Sequence, residues 1–162
     1  MSLSSRTRPL VGIAVLVVCS KLHPNCVLVS QRLASHGQGT HQLPGGHLEY
    51  GESFEECAQR ELKEETNLHC SSFELVHVTN TVFSTADNGQ GKHYVTLFLR
   101  ARIDDDATLT LMEPDKNSPW IWMNWNQLRS MNLFSPLRQA VDHPHFNPFD
   151  HSLPTFTSLV PH

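Results

Sequence analysis

The sequence predicts a single domain of mixed α/β (α+β) class. The chain has 162 residues, which suits one domain with a substantial core. It contains several strand-like apolar runs and one strongly patterned helix. Hydrophobic residues make up 39% of the chain and charged residues 17%, a balance that disfavours disorder. Because no linker is long enough to separate two domains, we expect a flexible N-terminus (1–9), one domain (10–150) and an irregular tail (151–162).

The N-terminal part of the domain is predicted to form two strands. β-branched residues dominate 11–19, which predicts a buried central strand. A turn at 23–25 follows, and 26–32 is the return strand, so we expect the pair to form a hairpin. The polar, glycine-rich stretch 34–40 predicts a loop, and 42–46 predicts a short extended piece that ends in two glycines.

The central helix is predicted over 53–67. Ser53 caps its start with Glu56 as the capping-box partner, and Asn67 is a suitable stop. In the last predicted strand three tryptophans alternate, which favours burial in the core over stacking on a base. The remaining predicted elements are strands over 73–83, 93–103 and 120–125, a mobile loop over 84–92 and a helix over 135–141.

Charge and cysteine content narrow the function classes. Twelve Lys and Arg face sixteen Asp and Glu, giving a formal net charge of −4, which disfavours duplex nucleic acid and a membrane surface as partners. The apolar run 10–19 is too short to span a bilayer. The four cysteines form no C-x-x-C pair, so we expect free thiols, a reducing compartment and a cytoplasmic or nuclear location.

The acidic residues are concentrated in and before the central helix. Seven of the nine glutamates fall between Glu49 and Glu65. On a helical wheel at about 100° per residue, Glu61 and Glu65 fall inside the apolar arc and Glu64 falls on its edge. An acidic cluster is usually a solvated face, but here the solvated face lies on the other side of the helix.

Carboxylates that share a packed face repel each other, and burial strengthens the repulsion. A hard divalent cation with oxygen ligands relieves it, and no His or Cys ligand set lies nearby that would favour zinc. The pattern therefore predicts Mg²⁺ or Mn²⁺, which can bridge phosphate oxygens and activate a water molecule.

The same stretch resembles a known family motif. Residues 46–68, GHLEYGESFEECAQRELKEETNL, resemble the Nudix box, G-x5-E-x7-R-E-U-x-E-E-x-G-U, in which U is apolar. Asn67 replaces the final glycine, and the eight matching positions are Gly46, Glu52, Arg60, Glu61, Leu62, Glu64, Glu65 and Leu68. The pieces HYVT, MEPDKN, LFSPLR and FNPF also look like eukaryotic MutT-type nucleoside triphosphate diphosphatases, so the similarity covers roughly 9–150.

The resemblance implies a Nudix fold, in which a mixed β-sheet is sandwiched between helices (α/β/α). It implies hydrolysis of a nucleoside diphosphate linked to another group, X. For a nucleoside triphosphate, oxidised or otherwise modified ones included, the products are a monophosphate and pyrophosphate. The family often forms homodimers, so a homodimer is an expectation for this chain.

Site roles follow from the resemblance residue by residue. Glu61, Glu64, Glu65 and the Gly46 carbonyl match the metal ligands, and either Glu61 or Glu64 matches the base that deprotonates water. Arg60 is expected to orient a glutamate of the box by a bidentate pair. Outside the box, five positions match substrate contacts: Arg32, which contacts phosphate, and Gln42, His47, Thr96 and Leu137 near the base pocket.

Three alternatives to a nucleotide triphosphatase stay open at this point. The apolar run 133–137 suits a prenyl diphosphate pocket as well as a purine pocket. A nucleotide sugar would share the same diphosphate chemistry. A non-catalytic nucleotide-binding module is the least favoured, because relatives of that kind usually lose glutamates of the box, and all four are present here.

Overall fold

The computed structural model describes residues 8–84 and 91–150 and the backbone of 155–158. Most of the predicted N-terminal segment and most of the predicted mobile loop lie outside the described residues. The described elements are β1 (Leu10–Val18), β2 (Cys26–Gln31), β3 (His41–Gln42), β4 (Gly45–His47), α1 (Phe54–Thr66), β5 (Phe73–Phe83), β6 (Lys92–Arg102), β7 (Ile121–Asn124), a 3₁₀ helix (Trp125–Ser130), α2 (Ser135–Asp142) and β8 (Thr155–Ser158).

The strands form two sheets. The larger sheet is mixed and has the order β4-β1-β6-β5-β8, with β1 parallel to β6 and antiparallel to β4. The smaller sheet has the order β3-β2-β7 and is antiparallel. The prediction that β1 and β2 form a hairpin is wrong, because both edges of β1 are already paired and β2 joins the other sheet.

Strand β1 is buried on both faces, which places a helix on each side of the larger sheet. Val15 and Val17 belong to the core cluster that contains Leu62 of α1. Leu16 belongs to the second cluster, which contains Leu137 of α2. A strand buried on both faces is expected to be a continuous apolar run, as 11–19 is. The α/β/α arrangement is confirmed.

Helix α1 begins and ends where its sequence indicates. The Ser53 hydroxyl accepts a hydrogen bond from the Glu56 backbone N–H at 3.1 Å, and Glu56 Oε2 accepts one from Ser53 N–H at 2.8 Å. Asn67 lies in the left-handed region with φ 60°, which Asn tolerates better than most residues. Its side-chain Nδ2 also donates to the Thr108 carbonyl at 3.2 Å, so the helix end is tied to a later segment.

The segment that precedes β7 closes the C-terminal end of α1. The backbone N–H of Met112 and the indole Nε1–H of Trp120 both donate to the Glu65 carbonyl, at 3.2 and 3.0 Å. Thr110 N–H donates to the Thr66 carbonyl at 2.9 Å. Carbonyls at a helix end have no partner within the helix, so this segment satisfies two of them. It also carries residues 113–117 to the side of α1 that bears Glu65.

Trp120 and Trp125 are buried in the core as predicted, whereas Trp122 is half-buried and stacks on His23 with ring centroids 4.4 Å apart. All four cysteines are free, and three of them are buried.

The stretch predicted to be irregular contains a strand. Thr155–Ser158 pairs in parallel with β5 at positions 77–80. Thr and Phe favour strands, and the edge of β5 opposite β6 is available for pairing, which explains the difference from the predicted irregular tail.

No helix in the described part of the chain is long and apolar enough to cross a membrane.

Candidate active site

The three glutamates of α1 differ sharply in exposure, as the helical wheel predicts. Glu65 is 6% exposed, the Glu61 side chain is 14% exposed and the Glu64 side chain is 55% exposed. Glu61 and Glu65 are one helical turn apart, so their side chains project from the same face. The packed face of α1 therefore carries two carboxylates that are largely removed from water.

Two glycines of β4 form the wall opposite these carboxylates. The Gly45 backbone N–H donates to Glu65 Oε2 at 2.9 Å. A Cβ atom on Gly46 would lie 2.2 Å from Glu61 Oε1, so only glycine leaves room for this carboxylate at its observed place. Because glycine has no Cβ atom, the Gly-Gly pair lets the backbone of β4 come close to the acidic side chains of α1.

Arg60 holds the neighbouring acids in place. It forms a bidentate pair with Glu52 through Nε at 2.6 Å and Nη2 at 3.0 Å, as the sequence predicts. Its Nη1 donates to Glu61 Oε1 at 2.8 Å, and Nη2 donates to the His47 carbonyl at 3.1 Å. Glu64 Oε2 lies farther away, 3.5 Å from Nη1. One guanidinium is therefore shared among several acids, and Glu65 is not among its partners.

The electrostatics of the site show where negative charge is not compensated. Burial raises the pKa of Glu65 to about 8, and the nearby charges of Glu61 and Glu113 add to this effect, against the hydrogen bond from Gly45. Burial also raises the pKa of Glu61, although Arg60 opposes the shift. By contrast, the hydrogen bond from Arg60 lowers the pKa of Glu52 to about 2.

These residues fit a divalent cation. Carboxylates whose pKa is raised by burial are stabilised in their charged form when a cation binds between them, and carboxylate and carbonyl oxygens are the ligands that Mg²⁺ and Mn²⁺ prefer. The candidate ligands are Glu61, Glu65 and the carbonyl of Gly46, with Glu64 at the exposed rim. Within the described residues, no three His, Cys, Asp or Glu side chains already converge as a metal site. Arg60 and Gly45 hold the oxygens of Glu61 and Glu65 instead.

A pocket of about 240 Å³ opens beside the glutamate cluster. Gly46 lines it, so the wall that contacts Glu61 is also a wall of the pocket. The five predicted substrate-binding residues come from five different parts of the chain, and all of them line this one pocket: Arg32, Gln42, His47, Thr96 and Leu137.

Aromatic side chains that the sequence analysis did not single out form much of the pocket wall. The rings of Phe83 and Phe134 stack with centroids 5.5 Å apart, and His36 contacts both rings edge-on. Tyr94 also lines the pocket, and its hydroxyl is 2.9 Å from His47 Nε2.

The pairing of β5 with β6 would bring Phe83 and Tyr94 to the same end of the sheet. An irregularity in β5 between Leu75 and His77 shifts the register, however, so alternation alone does not assign the face.

Arg32 is embedded in the pocket wall rather than extended into solvent. Its guanidinium lies 4.3 Å from the centre of the Phe134 ring, and Nε donates to the His36 carbonyl at 2.8 Å. Nη1 donates to Gln42 Oε1. Gln42 Nε2 in turn donates to Asn117 Oδ1 at 2.7 Å. Asn117, which sequence reasoning missed, lies in the MEPDKN piece that carried part of the family resemblance.

Comparison with known proteins identifies the family of this chain. A family model described as NUDIX domain matches residues 8–146. An RNA pyrophosphohydrolase of Erythrobacter litoralis (strain HTCC2594) is 25% identical over 128 residues, which cover 71% of this chain and 76% of that protein. The human 8-oxo-dGDP phosphatase NUDT18 is 42% identical over 92 residues, which cover 57% of this chain and only 26% of that protein.

Solved structures share the fold. The crystal structure of a MutT NUDIX hydrolase from Burkholderia pseudomallei aligns with a TM-score of 0.70 and 22% identity, covering 83% of this chain and 97% of that one. A bifunctional NMN adenylyltransferase/ADP ribose pyrophosphatase of Francisella tularensis, complexed with AMP and a Mn ion, aligns with a TM-score of 0.60 and 21% identity, over 84% of this chain and 41% of that one. Since the family model covers most of the chain, the protein belongs to the NUDIX domain family, and it is a hydrolase that acts on phosphorus-containing anhydrides.

Proposed function

We propose that the protein is a Mg²⁺-dependent hydrolase, with Mn²⁺ as the alternative cation, that cleaves nucleoside triphosphates to a monophosphate and pyrophosphate. Oxidised or otherwise modified triphosphates fall within this class. The observation that carries the proposal is the shared wall at Gly46, which places the carboxylate cluster and the pocket side by side. A nucleoside in the pocket would thereby present its phosphates to the glutamates. The names of the two relatives, an RNA pyrophosphohydrolase and an 8-oxo-dGDP phosphatase, support the choice of a nucleotide.

Different residues of the site would bind the cation, accept the proton of the attacking water and position the glutamates. Glu61, Glu65 and the Gly46 carbonyl would hold the cation, which when bound supplies positive charge to the phosphates and lowers the pKa of a bound water. Attack of a water oxygen on phosphorus breaks a bridging P–O bond, and the proton of the water passes to a glutamate. Glu61 and Glu64 are both candidates for this base. Arg60 fixes the positions of the Glu61 and Glu52 carboxylates through its hydrogen bonds.

The pocket favours a nucleoside over a prenyl chain. Its aromatic wall and Leu137 would accept either group. Arg32, Gln42, Thr96 and Tyr94, however, bring hydrogen-bonding groups to the same space. A prenyl chain offers these groups no hydrogen-bonding atom, so it would take water away from their polar edges without replacing it. A base and a ribose can pair with them, which supports the nucleotide as the preferred substrate.

One set of variants tests the hydrolytic site. Glu61→Gln and Glu65→Gln should abolish pyrophosphate release while the protein stays folded, because both remove a negative ligand without changing side-chain size. Glu55→Gln is the matched control, since Glu55 lies in the first turn of the same helix and is exposed. If both site variants keep near-full activity while Glu55→Gln behaves like the wild type, the assignment of the site is wrong.

One panel of substrates tests the substrate class. Oxidised dGTP, canonical triphosphates, geranyl diphosphate and a nucleotide sugar are compared at equal concentration with added Mg²⁺. We expect the highest kcat/KM for a nucleoside triphosphate. A preference for geranyl diphosphate or for the nucleotide sugar would replace the proposed substrate, and tight nucleotide binding without turnover would replace catalysis by a binding role.

A further inference from the structure

A chain of three side chains connects the pocket to the glutamate cluster. It runs from Arg32 through the hydrogen bond to Gln42 Oε1, and from Gln42 Nε2 to Asn117 Oδ1 at 2.7 Å. The backbones of Arg32 and Asn117 also pair in an isolated antiparallel β-bridge. The residues at the two ends of this chain of hydrogen-bonded side chains are therefore held next to each other. The chain begins in the pocket and ends on the segment that closes α1.

The hydrogen-bond polarity of this chain can run in one direction only. A guanidinium has donors and no acceptor, so the oxygen of the Gln42 amide must face Arg32. The nitrogen of that amide then faces Asn117 and requires an oxygen there. The Asn117 oxygen is thereby committed to Gln42, and its nitrogen must point the opposite way. Two carboxamides, each of which could otherwise be flipped, are thus fixed by the charged group at one end.

The free end of the chain is a buried donor next to Glu65. Asn117 is 1% exposed, and its Nδ2 is buried without a hydrogen bond of ordinary length to any described residue. The Asn117 side chain lies beside the Glu65 carboxylate, whose Oε2 accepts the Gly45 N–H from the β4 side. Trp120, three residues on, donates its indole N–H to the Glu65 carbonyl, which holds this segment against that turn of α1. A buried donor without a partner costs free energy, so its retention here calls for a partner in the working site.

We propose that Asn117 is a positioning residue that directs its side-chain N–H to the Glu65 carboxylate and ties this cation ligand to Arg32 in the pocket. The inference rests on the proposed function, because it takes Glu65 as a ligand of the divalent cation. Removing a partner that orients a metal ligand typically costs 10–100-fold in metal affinity or activity. The effect on nucleotide binding itself should be small, since Asn117 does not line the pocket.

Two substitutions at Asn117 separate the hydrogen bond from packing. Asn117→Leu and Asn117→Ala both remove the donor, but one keeps the side-chain volume and the other leaves a cavity. We expect both variants to bind Mn²⁺ 10–100-fold more weakly than the wild type, as followed by the electron paramagnetic resonance signal of free Mn²⁺. In the nucleotide assay kcat should fall at limiting Mg²⁺, whereas the KM for nucleotide should change by less than about threefold.

A third substitution tests the polarity of the chain. Gln42→Glu keeps an acceptor for Arg32 but presents a second oxygen to Asn117, so the Asn117 amide must turn its nitrogen away from Glu65. Mn²⁺ affinity should therefore fall although residue 42 does not contact Glu65. In the double variant with Asn117→Leu the two losses should not add, because both break the same chain.

Ser118→Ala is the matched control. Ser118 lies beside Asn117 and its hydroxyl accepts the Gln31 N–H at 2.9 Å, so its loss should lower stability without changing Mn²⁺ affinity. Wild-type Mn²⁺ affinity in both Asn117 variants would overturn the inference and leave the proposed function standing. A wild-type protein that hydrolyses no nucleotide, with weakened Mn²⁺ binding in the variants, would refute the proposed function and leave the role of Asn117 intact. If Asn117→Leu does not fold, Asn117→Ala and Gln42→Glu decide the question.

Discussion

Substitution of Gly46 by alanine should separate folding from hydrolysis. The new Cβ would lie 2.2 Å from Glu61 Oε1, whereas real Cβ contacts essentially never fall below 3.0 Å, so the carboxylate must move by at least about 0.8 Å. Arg60 holds the same oxygen at 2.8 Å, so the movement also disturbs that ion pair. A misplacement of about 1 Å at a reacting centre can cost about 100-fold in rate, and we expect kcat to fall by that factor.

The stability of Gly46→Ala should change much less than its activity. The atom in the way is the end of a side chain, and weakening a partly exposed ion pair costs at most about 1 kcal/mol. We therefore expect the melting temperature to drop by about 2–4 °C. Gly45→Ala provides the contrast, because its Cβ would lie 2.0 Å from the backbone oxygen of Ile13, which cannot swing away. Steady-state kinetics and thermal unfolding of both variants test this, and a Gly46→Ala protein with kcat within threefold of the wild type would refute the reasoning.

Three further outcomes follow from the geometry. In the metal-free protein Glu65 should contribute a loss of up to about 1.4 kcal/mol of stability per unit of pH between pH 4.5 and about 8, because the folded chain keeps the Glu65 proton that the unfolded chain has released. Urea titrations should show this slope, and it should become shallower in Glu65→Gln, where Glu61 is the remaining carboxyl of the pair with a raised pKa. Arg60→Lys should lower kcat more than tenfold, since an ammonium cannot form the bidentate pair with Glu52, and an activity close to that of the wild type would contradict this role. Gly37→Ala should raise the KM for nucleotide with little change in kcat, because its Cβ would lie 2.8 Å from the Phe134 ring; an unchanged KM would show that this ring does not shape the substrate site.

The glutamate cluster was predictable because it depends on one helix. Helical periodicity is a local property, so it assigns Glu61 and Glu65 to the packed face without knowledge of what packs there. The capping box at Ser53 and the left-handed Asn67 fix where the helix begins and ends. The predicted exposures of the three acids are confirmed on this basis.

The pairing of strands was not predictable in the same way. A turn between β1 and β2 normally indicates a hairpin, yet β1 lies in one sheet and β2 in the other. The partners of β1 are β4 and β6, and the choice of β6 depends on contacts more than eighty residues away in sequence. Non-local pairing of this kind leaves no trace in a single periodic segment, so the second sheet and the 3₁₀ helix after β7 became visible only in the structure.

Asn117 illustrates a different limit. It lies in the MEPDKN piece that carries part of the family resemblance, but that piece alone does not assign it a role, because its role depends on Gln42 on one side and Glu65 on the other. The sequence did assign Gln42 to the pocket through the family resemblance, but the second carboxamide that extends the connection comes from a segment 75 residues later.

The two halves of the site are built on different parts of the scaffold, and this has a consequence for how the enzyme can change over evolutionary time. The acids sit on α1 against β4, whereas the cavity, apart from the wall at Gly46 that it shares with the acids, takes its shape mainly from β1, β6, α2 and the loop that carries His36. The side chains that select the substrate can therefore be exchanged in evolution while the glutamates that support bond cleavage stay the same. Sequence divergence among enzymes of this design should accordingly concentrate at positions such as Phe134 and Leu137.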